Sequence, residues 1–398
     1  MESKPMKFCD TETVLTYMEP NFRFNLALEI PSIRKAEKAA PLHINRLEIE
    51  DNVITVNGAK YTLSVLQNFF GMMKESKIDF DKYGLPIDTD AIVLPGDVRL
   101  VEQGESGPID YDAEERKVER CLMQLEKEGK RGDQEKIAFM KTDLLAFVCR
   151  RNNIPLASCS IQLDTDEESS LFPYRIKIYE MMKKLLTVFF GNRKVEWGIN
   201  HLTLAPNILR WPVNGLKPTV KNLEISGYTN FKMNALKSVV DENTSFPLNS
   251  LTVRMHDDDT QNVNHKYANE AKMLILYPSY DFVFSQEALL SLQNPRVVFH
   301  DRFPCDAYDN VLATWMERGC AIGTHFSFRY KAAESEVRSV LHWTGNRVEV
   351  LEKSKDCIKL LMKNGAVLVV TNHRDTYVEF GRVRSISHID MKVVSRYG

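Results

Sequence analysis

In the second half of the chain, pairs of apolar residues two positions apart recur at near-regular intervals: Leu202/Leu204, Leu223/Ile225, Leu251/Val253, Leu274/Leu276 and Val297/Phe299. Their leading members lie 21, 28, 23 and 23 residues apart. Residues two apart share one face of an extended strand, so each pair predicts a short strand with one buried side. Helical apolar spacing follows at 234–240, 285–292 and 306–318, the last carrying Val311, Leu312 and Trp315. The expectation is a parallel α/β arrangement in which Leu202, Leu223, Leu251, Leu274 and Val297 occupy successive strands. Thr203, Glu224 and Thr252, one position along, then face outward and form the expected partner-binding face.

The strongest unit is INHLTLAPNIL, where Ile199, Leu202, Leu204, Asn207 and Leu209 fill the pattern L-x-x-L-x-L-x-x-N-x-L. Spacings of roughly 20 to 29 residues are those of leucine-rich repeats, whose units cannot bury their apolar faces alone and so must stack. Asn207 is expected to satisfy backbone groups where the chain leaves its strand. Later units replace it with Tyr228, His256 and Ser279, so the repeat is degenerate. An ordinary α/β domain with five parallel strands fits the same alternation. Trp197, Trp211, Tyr228, Tyr277, Tyr280, Phe282 and Phe284 are candidates either for a concave peptide-binding lining or for core.

Residues 8–42 predict three short helices. Asp10 or Thr11 caps the first, which carries Val14, Leu15 and Met18 and stops before Pro20. Asn21 opens the second, with Phe22, Leu26 and Ile30 on one face; Ile33, Ala36 and Ala40 mark a third that Pro41 closes. Asn57-Gly58, between two alternating runs, predicts a tight hairpin. Loops around one short strand at 91–94 follow. Two charged helices come next over 112–150, with a break near 129–132, then an amphipathic helix over 173–190. The last sixty or so residues read as antiparallel β, with a second hairpin at Asn364-Gly365.

Composition narrows the function. The 398 residues are 43% hydrophobic, enough for two or three cores. Lys plus Arg total 52 against 54 Asp plus Glu, a net charge of −2 that offers no bulk attraction to nucleic acid or an anionic membrane. The run MMKKLLTVFFG is interrupted by Lys183 and Lys184 and is too short to span a bilayer. The start, MESKPMKFCD, has no signal-peptide core, and the seven cysteines form no C-x-x-C pair; reduced thiols and a cytoplasmic or nuclear location are expected. MHDDDTQNVNH gathers His256, Asp257, Asp258, Asp259 and His265, but lacks the Gly and Glu of a calcium loop and reads as a solvated loop. His373-Arg374-Asp375 has no kinase context, and no nucleophile motif occurs. No catalytic residue, metal or cofactor is expected.

Several strings are carried together: VLTYMEPNFRFNLALEIPSIRKAEKAAPLHINRLEI, KYG with LPGDVRL, KLLTVFFGNRK, VKNLEISG, SFPLNSLTV and WMERGCAIGTHFSF. In these the chain resembles the nematode-expanded F-box C protein family, whose shared region is largely a domain of unknown function. The resemblance implies a degenerate F-box over 1–42, docking on a Skp1-type adaptor and so on a cullin ubiquitin ligase, followed by a substrate-capturing region. Val14, Leu15, Met18, Phe22, Leu26, Leu28 and Ile30 match its helical core and adaptor face. The opening PMKFCD replaces the usual Leu-Pro pair, and IPSIRKAEKA carries no Trp.

The expected architecture is therefore a small F-box-like helical module (1–42), a connecting α+β region (43–190), a leucine-rich-repeat-like parallel strand stack with return helices (191–345) and a C-terminal antiparallel segment (346–398). The expected function is a protein–protein interaction module that recognises an unidentified protein substrate for ubiquitination. Its alternative is a non-catalytic scaffold that has lost adaptor docking.

Overall fold

A computed structural model describes residues 8–69, 72–102, 109–128, 133–155, 159–166, 168–212, 214–227, 230–255, 265–278, 286–300, 305–330, 340–379 and 382–396. The fold is mixed α/β. It divides into two compact units, one of residues 1–197 with 205–217 and one of residues 198–204 with 218–398.

The first unit opens with α1 (Phe8–Thr16), α2 (Pro20–Glu29), a 3-10 turn (Pro31–Ile33) and α3 (Arg34–Ala39). Three short helices are present, but the first already includes Asp10 and Thr11, expected as its caps, and the second also begins differently from the sequence expectation. Pro20 is its first residue, where a missing N–H costs nothing, and the Glu19 carboxylate accepts from the backbone N–H groups of Asn21 and Phe22. Its buried face also differs: Arg23, Phe24 and Ala27 point inward, whereas Phe22 and Ile30 are exposed.

Strands β1 (Leu42–Ile49), β2 (Val53–Val56) and β3 (Ala59–Phe69) form an antiparallel meander, with β4 (Met72–Ser76) returning along β3. Asn57-Gly58 makes the predicted turn, with φ of 51° and 98°. No strand forms at 91–94. Arg210 donates instead to the carbonyls of Thr89 and Ile92, and Leu94 N–H to Asp97, so these backbone groups are satisfied without a ladder. The short strand lies later, at β5 (Val98–Arg99). Helices α4 (Tyr111–Glu128) and α5 (Gln134–Arg151) follow, the expected break at 129–132 lying outside the described residues. Then β6 (Cys159–Asp164) pairs with β3 and β7 (Ser169–Pro173) with β6. Helix α6 (Ile178–Phe190) is five residues shorter at its start than the sequence suggested. β8 (Trp197–Leu204) enters the second unit, and β9 (Ile208–Leu209) pairs with β5.

Beside the aliphatic residues of the meander, the core of this unit holds an aromatic stack and an ionic cluster. Phe24 stacks on Phe189 at 4.6 Å, and Phe190 stacks on Trp197 at 5.4 Å and Trp211 at 6.1 Å. Trp197 and Trp211 are thus core residues and line no binding face. Beside them Glu37, fully buried, meets Arg23 at 3.0 Å, Arg193 at 2.5 Å and Lys38 at 2.7 Å. Asn207 does not hold backbone groups with its side chain; it donates to the Asp90 carboxylate at 2.8 Å. Asn52 has that role instead, donating to the Leu63 carbonyl at 2.7 Å.

In the second unit β8 is followed by β10 (Thr219–Ser226), α7 (Asn230–Ala235), a 3-10 turn (Leu236–Ser238), α8 (Glu242–Ser245), β11 (Ser250–Arg254), α9 (Lys266–Glu270), β12 (Met273–Tyr277), α10 (Gln286–Ser291), β13 (Arg296–Phe299), α11 (Cys305–Arg318) and β14 (His325–Tyr330). All six strands are parallel and neighbour one another in chain order. Right-handed crossovers between sequential neighbours put every return segment on one side of such a sheet. Leu202 registers with Leu223, Leu223 with Leu251, Leu251 with Leu274, Leu274 with Val297 and Val297 with Phe326. All are buried, as is the rung two residues on, from Leu204 to Phe328. A third buried position precedes the first five of these pairs by three residues: Ile199, Val220, Leu248, Ala271 and Asn294. Asn294 is the polar member and donates to the carbonyls of Ala268 and Ala271. Helix α11 covers the end of this core, with Trp315 against Phe326 at 4.7 Å and Tyr308 against Phe328 at 5.6 Å.

The C-terminal strands β15 (Val350–Lys353), β16 (Cys357–Leu361), β17 (Val367–Glu379) and β18 (Arg382–Val394) are antiparallel, and β18 pairs with β14. The turn at Asn364-Gly365 is wider than a two-residue hairpin, since Leu361 pairs with Val367 and Met362 N–H donates to Ala366. Only Gly365 takes a positive φ there.

Candidate functional site

Two surfaces carry the candidate residues. On α1 and α2, Leu15 is core, packed with Ala36 and Ala40 while Met18 rests against them. Val14, Tyr17, Phe22 and Ile30 are exposed, Tyr17 and Phe22 by 88% and 55%, and Leu26 is half-buried. Among the residues proposed for adaptor contact, the structure therefore separates an inner group (Leu15, Met18) from an outer one (Val14, Phe22, Ile30). Exposed to this degree, Val14, Tyr17, Phe22 and Ile30 contribute little to the packing of the helices that carry them.

The second surface is the face of the parallel sheet opposite the leucine rungs. Thr203, Glu224 and Thr252 register side by side there and are half-buried. The same rung continues through Ile275 to Val298 and Ser327, which are buried. The next rung is polar. Glu224 Oε1 accepts from Arg254 Nε at 2.7 Å, and the Arg254 guanidinium lies 5.2 Å over the Tyr277 ring. Tyr277 stacks on His300 at 4.1 Å, and the His300 imidazole is 2.9 Å from Arg329 Nη1. Sequence reasoning missed Arg254, His300 and Arg329. The signal was present, because each lies two residues beyond an outward position (Thr252, Val298, Ser327) and alternation must carry it to the same face.

Further along that face, Asp390 on β18 receives the Ser327 hydroxyl and lies 3.3 Å from His325 Nε2 and 3.5 Å from His373 Nε2. Burial acts to raise the Asp390 pKa, but hydrogen bonds from His325 and Ser327 and the nearby imidazoles outweigh it and hold the carboxyl below its ordinary value. In a nucleophilic triad the imidazole stands between hydroxyl and carboxylate. Here Ser327 donates directly to Asp390, so no base reaches its proton and the cluster is a hydrogen-bonded carboxylate.

Among the described residues no group of three or more His, Cys, Asp or Glu could hold a metal ion, and no helix is long and apolar enough to cross a membrane. His256 to Asp259, Tyr228, Tyr280, Phe282 and Phe284 lie outside the described residues. Cys121, Cys149, Cys159, Cys320 and Cys357 form no disulfide, and Cys320 is half-buried.

No curated protein and no solved structure matches the chain. A family model described as a domain of unknown function (DUF3557) matches residues 177–332, the stretch that runs from α6 through β14 and contains the whole parallel stack.

Proposed function

We propose that the protein is a non-catalytic protein–protein interaction module with two docking surfaces. The N-terminal helices act as an F-box-like adaptor-docking element, and the parallel stack acts as a leucine-rich-repeat-like scaffold whose polar face captures a protein partner. The observation that carries this reading is that Val14, Tyr17, Phe22 and Ile30, within two successive short helices and the residues that end them, are all exposed. Apolar area of this kind is stabilised by a partner that removes it from water. The buried triplet at Ile199, Leu202 and Leu204, echoed at Val220, Leu223 and Ile225 and at Leu248, Leu251 and Val253, supports the repeat-like reading of the stack. The resemblance to F-box proteins supplies the adaptor's class, a Skp1-type protein of a cullin ubiquitin ligase.

Co-expression with a Skp1-type adaptor and affinity capture tests the reading. Wild type is expected to retain the adaptor, and Phe22→Asp with Leu26→Asp to lose it, since carboxylates buried without partners at an interface are costly. Equal capture by the folded double variant, or none by wild type, refutes adaptor docking and leaves a scaffold that binds only through the stack.

A further inference from the structure

We propose that the groove between α3 and the C-terminal end of α6 is a binding site for a phosphoryl group. It measures about 560 Å³, in the size range of small-ligand sites, and its polar lining comes from Arg34, Lys35, Lys38, Thr187, Asn192 and Lys194. Four of these six are cations, and no carboxylate lines it. Ala39 and Val188 add apolar wall for the body of an organic ligand.

The charge behind the wall points the same way. Arg23, Arg193 and Lys38 converge on one carboxylate, Glu37, so three buried or nearly buried cations share a single anion. Neither Arg23 nor Arg193 lines the groove, so their charge acts on it from behind and not by contact. A surplus of positive charge in a poorly solvated place is unfavourable until an anion offsets it. Burial, reinforced by the Arg193 charge, lowers the Lys38 pKa to about 7, as that surplus requires.

Helix C-termini ordinarily repel anions, and both α2 and α6 end near this groove. That repulsion is cancelled here. Arg34 donates to the Ala27 and Leu28 carbonyls, and Lys38 donates to those of Val188 and Phe189. Capping explains Arg34 and Lys38; it does not explain Lys194, which adds a further cation across the groove. Clustered ammonium groups, as point charges, suit the compact multiple charge of a phosphoryl group.

The test uses the full chain in two arms: calorimetric titration with inorganic pyrophosphate, and sedimentation with phosphatidylcholine vesicles with and without phosphatidic acid. Pyrophosphate binding identifies a soluble phosphate as the ligand, whereas recruitment only to the acidic vesicles identifies a lipid headgroup. In either case affinity should fall about tenfold or more in Lys35→Gln with Lys194→Gln. Both lysines are exposed, so an unchanged melting temperature is expected for that variant. Lys38→Met, which removes a nearly buried cation, should lose binding as well, in a sample whose cooperative melting transition shows it to be folded. Failure of both arms, or affinities in the two variants within about twofold of wild type, overturns the proposal.

Discussion

The two units differ in one part of their interiors, a buried ionic cluster that the first has beside its apolar core. In the parallel stack, every rung is built from equivalent residues of adjacent strands, as in Leu202, Leu223, Leu251 and Leu274, and each contact involves only near neighbours. Stability is spread along the stack, roughly as a sum of similar terms. In the first unit, Glu37 from α3 meets Arg193 from a segment 156 residues away, and the aromatic stack joins Phe24 to Phe189 over a similar distance. There a buried ionic cluster of interdependent terms is added to the aliphatic core of the meander. A distributed apolar core tolerates loss of one member, whereas a buried ionic cluster does not, because removing one partner strands the others.

The largest expected effect follows directly. Glu37→Ala leaves Arg23, Arg193 and Lys38 without their counter-charge and should destabilise the chain by about 3 to 5 kcal/mol in denaturant unfolding. A loss below about 1 kcal/mol would mean that the cations are solvated after all.

A smaller effect concerns pH. Because Lys38 titrates near 7 when folded and near 10.5 when unfolded, the unfolded chain binds more protons throughout that window. Stability should therefore rise with pH from about 7 towards 10.5, and Lys38→Met should remove that rise when denaturant midpoints are compared across the window. Identical slopes in the two proteins would contradict the shift.

The smallest effect belongs to the open face. Glu224 and Arg254 form a partly exposed pair, so a double-mutant cycle with alanine should return a coupling of about 1 kcal/mol or less. A larger value would make the polar rung a structural element of the sheet.

What could be read from the sequence follows the same division. The leucine rungs were legible because a period-two apolar pair recurs five times at intervals of 21 to 28 residues, and Asn57-Gly58 was legible because its turn chemistry is local. The face of α2 was not. Phe22, Leu26 and Ile30 make a regular helical stripe, yet the buried side is Arg23, Phe24 and Ala27, because Arg23 is drawn in by Glu37 and the Pro41 carbonyl. No local pattern encodes a partner fourteen residues away. Arg210 likewise replaces a strand ladder at Thr89 and Ile92 from more than a hundred residues off. The polar rung of Arg254, Tyr277, His300 and Arg329 was written in the alternation but hidden by the variety of its residue types.

Over β8, β10 and β11 the parallel strands have two unlike faces, one holding the leucine core and one only half-buried. Equilibrium unfolding of paired alanine variants at adjacent positions, Leu223 with Glu224 and Leu251 with Thr252, tests that difference most directly. The account predicts a cost of about 2 to 5 kcal/mol for each leucine through lost burial and the cavity left behind, and changes within about 0.5 kcal/mol for Glu224→Ala and Thr252→Ala. Comparable losses at both members of a pair would show the outward face to be packed like the inner one and would contradict the account.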